Sequence, residues 1–289
     1  MIKESTGDKI FGIVNAVVLA LIGLSMLYPF VYVLSASLSD SQAVITGKVV
    51  LLPKGLNLNA YKKVLEDTSI WIAYANTLYY TVFGTVISMF ISIIGAYPLS
   101  KKRLVGRRVF NLFIMFTMWF NAGTIPIYLN LKDLSLLNTR FAILVAFAVS
   151  VFNVILLRNF FEAVPDSLEE SAAIDGANDI YMLFKIYLPL SAPALATIAL
   201  FYAVSRWNGY FWAMVILKDD NKIPLQVLLK KLVVDMTKTD MDMFDSAKNY
   251  GKETVSYATI VIAVVPIMLV YPYIQKYFVK GVMVGAVKG

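Results

Sequence analysis

Long runs without Asp, Glu, Lys or Arg dominate this chain. They cover Ile10–Ser39, Thr68–Ser100, Val109–Leu131, Phe141–Leu157, Ile186–Ser205 and Thr254–Gln275. A helix needs roughly 20 apolar residues, with about 17 as the lower limit, to cross the hydrocarbon core of a bilayer. Five runs meet that length, the fourth sits at the limit, and the fifth extends through Arg206 to Leu217. The pattern therefore predicts an all-α membrane protein of six transmembrane helices. They fall over about residues 10–38, 69–100, 109–131, 139–161, 190–217 and 254–277, within one domain covering 1–289. Strands of a membrane barrel would run about 10 residues with strict alternation, and nothing here alternates. The first run is 30 residues long, against an apolar core of about 7–15 in a signal peptide. It is read as a retained span.

Composition sharpens this picture by exclusion. Hydrophobic residues make up 59% and charged residues 16%, where a soluble domain carries about 25% charged. The chain has no cysteine and no histidine. That removes disulfides, thiol nucleophiles, imidazole bases and nearly all zinc sites. Asp, Glu, Lys and Tyr could still do chemistry, so composition disfavours an enzyme without excluding one, and no metal or catalytic residue is nominated. The net charge is +7, but the basic residues lie scattered between apolar runs, which argues against nucleic acid. Membrane topology and contact with anionic membrane lipid account for it.

Charge also orients the chain. The short segment Lys101-Lys102-Arg103-Leu104-Val105-Gly106-Arg107-Arg108 carries five positive charges, and such loops stay in the cytoplasm. Six crossings then place both termini there too. Seven lysines in 218–253 pull the other way, but long segments translocate with less regard to charge. The outer connections are then 40–67, 132–140 and 218–253, the last predicted to carry a short amphipathic helix.

One cytoplasmic segment is more specific. It reads Val164-Pro165-Asp166-Ser167-Leu168-Glu169-Glu170-Ser171-Ala172-Ala173-Ile174-Asp175-Gly176-Ala177-Asn178-Asp179 and continues to Ile186-Tyr187-Leu188-Pro189. The residues predict a helix, a sharp turn and a second helix. Asp166 is placed to cap the first, with Glu169 as reciprocal partner. Gly176 suits a left-handed helix end. Asn178 suits the cap of the second. Pro189 and Pro193 mark a break before the fifth span. Capping alone would be satisfied by a plain connector.

The spacing of Glu170, Ala172, Gly176, Ile186, Leu188 and Pro189 resembles the EAA loop of ABC importer permeases, with Ser171 where the family usually has alanine. Trp207-Asn208-Gly209-Tyr210-Phe211-Trp212 resembles a signature of carbohydrate permeases. The glycine-spaced end, residues 277–289, is similar to the tail of MalG-like subunits. Within that branch the chain resembles the LplC/YtcP-like permeases, a group that includes a permease of the alginate importer. The resemblance covers essentially the whole chain.

The resemblance implies a transport subunit of the bacterial cytoplasmic membrane, not an enzyme. It implies a second homologous permease subunit, two ABC ATPase subunits and an extracytoplasmic solute-binding protein as partners. ATP and Mg would sit on the ATPases, and no cofactor on this chain. An oligosaccharide is the implied cargo, and the positive charge is compatible with an acidic one. Glu169, Glu170, Ser171, Ala172, Ala173, Asp175 and Gly176 would form the coupling helix that docks on an ATPase. Val282, Val284 and Gly285 would carry the tail to the groove between the ATPases. For the sugar pathway, Trp119, Asn121, Asn153, Tyr202, Arg206, Trp207 and Asn208 are candidates, since aromatic faces and hydrogen-bonding side chains recognise sugars. Aromatics also gather at membrane interfaces as anchors. Arg206 has two open readings: a charge facing the bundle interior, or one snorkelling to headgroups. Pro29, Pro98, Pro126 and Pro266 are expected to kink helices. A secondary transporter and a membrane enzyme acting on lipid-linked sugar are the alternatives; neither a repeat nor paired interfacial carboxylates support them.

Overall fold

A computed structural model describes residues 6–239, 251, 253–266 and 268–269. Among these the chain is helical, with no strand. The tail residues Val282, Val284 and Gly285 lie outside the described residues. Two compact units emerge, one drawing on residues 6–68, 229–239, 251 and 253–265, the other on 69–228, 266 and 268–269.

In the first unit, α1 (Thr6–Ser37) is 32 residues long, about 48 Å at a rise of about 1.5 Å per residue. Ile10, Phe11, Val17, Leu21, Leu24 and Phe30 all stand exposed on it. A helix apolar on every side belongs in lipid or protein, not in water. The stretch after it holds α2 (Ser41–Ile45), capped by Asp40, and α3 (Asn59–Glu66). A small core of Ala36, Val44 and Val49 seals this region, with Tyr32 edge-on to Tyr257. Tyr257 lies on the helix Glu253–Pro266, the described part of the sixth predicted span.

The second unit is organised by α4 (Thr68–Ser100). Its buried positions include Ala73, Thr77, Gly84, Ser88, Ser92 and Ala96, which recur at steps of four and seven and so form one stripe. Val82, Phe83, Val86, Phe90 and Ile94 are exposed. This is amphipathicity in the membrane sense, with small and hydroxyl residues inward so that neighbouring backbones approach closely. Near the helix start, Asn76 donates to the carbonyls of Asn221 (2.8 Å) and Ile223 (3.1 Å). The Tyr80 hydroxyl donates to the Lys222 carbonyl at 2.7 Å.

The later apolar runs are not continuous helices. The third predicted span is α5 (Arg107–Trp119) followed by α6 (Thr124–Asp133), bent by 111°. Gly123 at the corner has φ 86° and ψ 170°, a conformation open to glycine almost alone. The fourth is α7 (Arg140–Val145) and α8 (Val151–Glu162), each started by its own cap, Thr139 and Ser150. After α9 (Asp166–Ile174) come α10 (Asp179–Met182), a π turn (Leu183–Tyr187) and α11 (Leu188–Leu190). The chain then bends by 83° into α12 (Ala192–Trp207). The fifth span is thus α12 and the short α13 (Phe211–Ile216), parted by Asn208–Tyr210. The predicted amphipathic helix exists as α14 (Leu225–Thr239).

By length and composition, Gly7–Ser37 and Thr68–Ser100 are each long and apolar enough to cross a membrane, and each bent pair would add one more. Absence of charge shows that a segment can enter lipid; it says nothing about continuity of the backbone. Nor do the breaks follow the prolines expected to kink. Pro29 and Pro98 lie inside continuous helices, whereas breaks fall at the capped Thr139 and Ser150, at Gly123, and at Ser191 between Pro189 and Pro193. The buried stripe of α4 yields a test. Ala96→Leu should destabilise the purified protein by about 1–3 kcal/mol through overpacking. Val86→Leu, on the exposed surface, should stay within about 0.5 kcal/mol. Thermal unfolding of the two variants in one detergent checks this.

Candidate functional site

The segment after α8 folds as a helix, a glycine turn and a second helix. At its end, the N–H of Gly176 donates to the Ala173 carbonyl (3.1 Å) and that of Ala177 to the Ala172 carbonyl (2.9 Å). This paired closure is a Schellman turn and needs a left-handed residue, which Gly176 supplies at φ +79°. Asn178 then caps α10, its Oδ1 accepting from the Tyr181 N–H at 2.8 Å.

The start of α9 differs from the expected capping box. Pro165 holds the cap position and no side chain caps the helix. Asp166 instead pairs with Lys102 at 2.6 Å, and Glu169 with Lys101 at 2.9 Å. Both carboxylates have been drawn away by the basic loop between α4 and α5. The same loop pairs Arg103 with Asp179 on α10, and Arg107 at the head of α5 pairs with Glu162 at the end of α8. Glu162 also forms an ion pair with Arg158 at 3.3 Å. Four ion pairs thus tie one short loop and the helix it opens to every helical piece from α8 to α10.

They are not equal. Lys102–Asp166 is open to solvent, with side chains 76% and 64% exposed, and such pairs are worth about 0–1 kcal/mol. The Lys101 side chain is only 7% exposed. Its ammonium lies 3.8 Å from the Tyr187 ring centroid and 4.4 Å from that of Tyr97, a cation–π cage. The Tyr187 hydroxyl donates to the same Glu169 oxygen at 2.6 Å. Burial pushes the Glu169 carboxyl up, but the bonds from Tyr187 and Lys101 outweigh it and hold the group below its ordinary value. Burial pulls the Lys101 ammonium down against the pull of Glu169. An open groove of about 830 Å³ runs beside this cluster, lined among others by Lys101, Arg107, Glu162, Asp166, Glu169 and Glu170.

Of the predicted coupling residues, Glu169 and Ala172 turn inward to the body of the unit, whereas Glu170, Ser171, Ala173, Asp175 and Gly176 face outward. Two apolar side chains stand beside them, Ile174 at 87% exposure and Leu168 at 43%. Sequence reasoning missed these, and missed Lys101, Arg103, Arg107 and Tyr187 as supports. The dense basic loop was the available signal: its charges face an acidic run of matching density at 162–179.

The pathway candidates separate into two sets. Asn153, Tyr202 and Arg206 come together on one pocket between α8 and α12. Trp119 is the last residue of α5 and 92% exposed. Asn121 closes the corner before α6 by accepting from the Gly123 N–H at 2.8 Å. Trp207 is buried edge-on against Tyr74, and Asn208 ends α12. Arg206 faces protein. It donates to the carbonyls of Ile143, Leu144 and Phe147 and to the Ser88 hydroxyl. Gly84 makes room for it, since a Cβ there would lie 3.0 Å from Nε.

The chain is similar to known proteins along nearly its whole length. The family model of binding-protein-dependent transport system inner membrane components matches residues 68–284. The polygalacturonan/rhamnogalacturonan transport system permease protein YtcP of Bacillus subtilis is 41% identical over 284 residues, 98% of this chain and 99% of that one. Protein LplC of the same organism is 38% identical over 288 residues, 99% of this chain and 97% of its own. A chain in a crystal structure of a bacterial ABC transporter that imports the acidic polysaccharide alginate is 52% identical. It covers 96% of this chain and 100% of its own, with a TM-score of 0.89.

The depressed Glu169 sets a pH dependence. A carboxyl whose folded pKa lies below its unfolded one stabilises fully above the unfolded value and loses that contribution as pH falls through the folded value. The anchoring of α9 should therefore be constant at neutral pH and fail only below the ordinary glutamate value of about 4.5. Glu169→Gln, which strands the buried Lys101, should cost about 1–3 kcal/mol at neutral pH and flatten the acid limb. Amide exchange along α9 against pH measures both.

Proposed function

From its membership of the family of binding-protein-dependent transport system inner membrane components, to which this chain belongs, we propose how it works. It is a membrane-spanning permease subunit of a sugar ABC importer. Six crossings in a single transmembrane domain, with both termini in the cytoplasm, are the topology that its apolar runs and basic 101–108 loop favour. A second homologous permease completes the pathway, two ATPase subunits bind ATP and Mg and drive it, and an extracytoplasmic binding protein delivers cargo. The cargo is an acidic oligosaccharide, a reading supported by similarity to permeases whose names carry polygalacturonan and alginate.

The observation that carries the mechanism is the anchoring of α9. A helix that transmits force must not yield at its base. Lys101 follows directly on α4 and grips Glu169 within α9, while Arg103 and Arg107 hold the flanking pieces. A push on the outer face of α9, where Glu170, Ala173 and Ile174 stand, then moves α4, α5 and α8 with it as a rigid body. Gly176 aims the helix by permitting its tight end. α9 is thus the coupling helix. The tail carrying Val282, Val284 and Gly285 is assigned to the groove between the ATPases by its resemblance to MalG-like tails.

Glu170→Lys places the wrong charge on the docking face, and Gly176→Val strains a left-handed position. In the reconstituted complex each should lower substrate-stimulated ATP hydrolysis at least about tenfold, the effect of roughly 1.4 kcal/mol at an interface, without loss of membrane insertion. Wild-type stimulation in both variants would remove α9 from the coupling path. Failure of any ATPase to copurify with the wild-type chain would remove the importer reading itself.

A further inference from the structure

The pocket between α8 and α12 lies where an apolar run breaks. Backbone groups freed by such a break must be satisfied by protein, because lipid offers no partners. Arg206 takes up the carbonyls leaving α7, with Leu144 at 3.1 Å and Phe147 at 2.9 Å. The Tyr202 hydroxyl accepts from the Ser150 N–H that opens α8, at 3.1 Å, and bonds the Ser92 hydroxyl at 2.7 Å.

This leaves a charge imbalance. Every bonded partner of the guanidinium is a neutral carbonyl or hydroxyl, and no carboxylate among the described residues pairs with it. Carbonyls satisfy its hydrogens without cancelling its charge, so a full positive charge remains beside a cavity of about 300 Å³.

The rest of the lining has the same sign. The twelve-residue α8 points its N-terminus at this break, which adds partial positive charge. Asn153 is 4% exposed and lines the cavity, so its side-chain amide borders that space. Phe152 and Phe201, with ring centroids 6.4 Å apart, form an apolar wall. A half-buried cation, an amide and two aromatic faces fit one ligand chemistry: a sugar ring that bears a carboxylate.

We propose that this pocket is a transit subsite for the carboxylate of a uronic-acid residue. Arg206 supplies the charge, Asn153 the orienting hydrogen bond, and Phe152 and Phe201 the contact with the apolar ring face. The proposal rests on the importer reading and adds where in this chain an acidic cargo is recognised.

The test uses the full complex with its binding protein in proteoliposomes. The probes are a short oligogalacturonate and its methyl ester of equal length. Asn153→Asp keeps the side-chain shape and puts a negative charge where the carboxylate would sit. It should lower the ratio of acid to ester uptake about tenfold, the worth of one charge-assisted contact, with the change in KM. The binding protein is common to all samples, so a changed ratio reports the permease. If Asn153→Asp assembles poorly, Ser205→Asp, on the exposed wall of the same pocket, is read by the same criterion. An unchanged ratio, or equal loss of both probes, overturns the subsite while ATP-driven uptake by the wild type upholds the importer. Uptake of neither probe by the wild type overturns the subsite together with the acidic-cargo reading.

Discussion

Backbone that leaves a helix inside an apolar run has no water to turn to, and in this chain one arginine and one tyrosine take water's place. Arg206 collects the carbonyls released at the end of α7, and Tyr202 receives the N–H that opens α8. Both side chains come from α12, and both reach α4 as well, through Ser88 and Ser92. Three segments distant in sequence are thereby joined at one depth. The rest of the second unit is arranged around that joint. The stripe of α4 carries glycine at position 84, where the guanidinium passes, and the Ser150 N–H at the start of α8 is met by Tyr202.

Charge does different work where the α4–α5 loop meets α8 to α10. There water competes for every ion, so the exposed pairs add little on their own. Lys101–Glu169 differs because it is caged by Tyr97 and Tyr187 and shares an oxygen with a phenol. Breaking such a pair leaves one buried ion uncompensated, a larger loss than the pair's net worth. The open pairs around it act as orientation, holding α9 and α10 at several points so that neither can pivot about the caged one.

These two constructions leave the outward surface of α9 unencumbered. Inward positions are spent on anchoring, and the outward Glu170 makes no ion pair among the described residues. Ile174 is almost wholly exposed. A rigid base and a free apolar tip are what a docking element requires.

The amino-acid sequence by itself determined the all-helical class, the residence in a membrane and the family, because charge-free length and the Glu170–Pro189 spacing are properties of neighbouring residues. It also determined the left-handed end at Gly176 and the cap at Asn178, which involve only a few adjacent positions. Tertiary structure decided the rest. Asp166 and Glu169 have the spacing of a capping box, yet face the basic loop, since a lysine some 65 residues away in sequence outbids a neighbouring amide once the fold brings it near. The break at Ser191 falls between Pro189 and Pro193, which marked it in the sequence, whereas those at Gly123 and Ser150 were hidden because an apolar run looks the same whether or not its helix is interrupted. Arg206 admitted two readings in the sequence. Only the position of α7's carbonyls, set by packing between segments far apart in the chain, turned its charge inward.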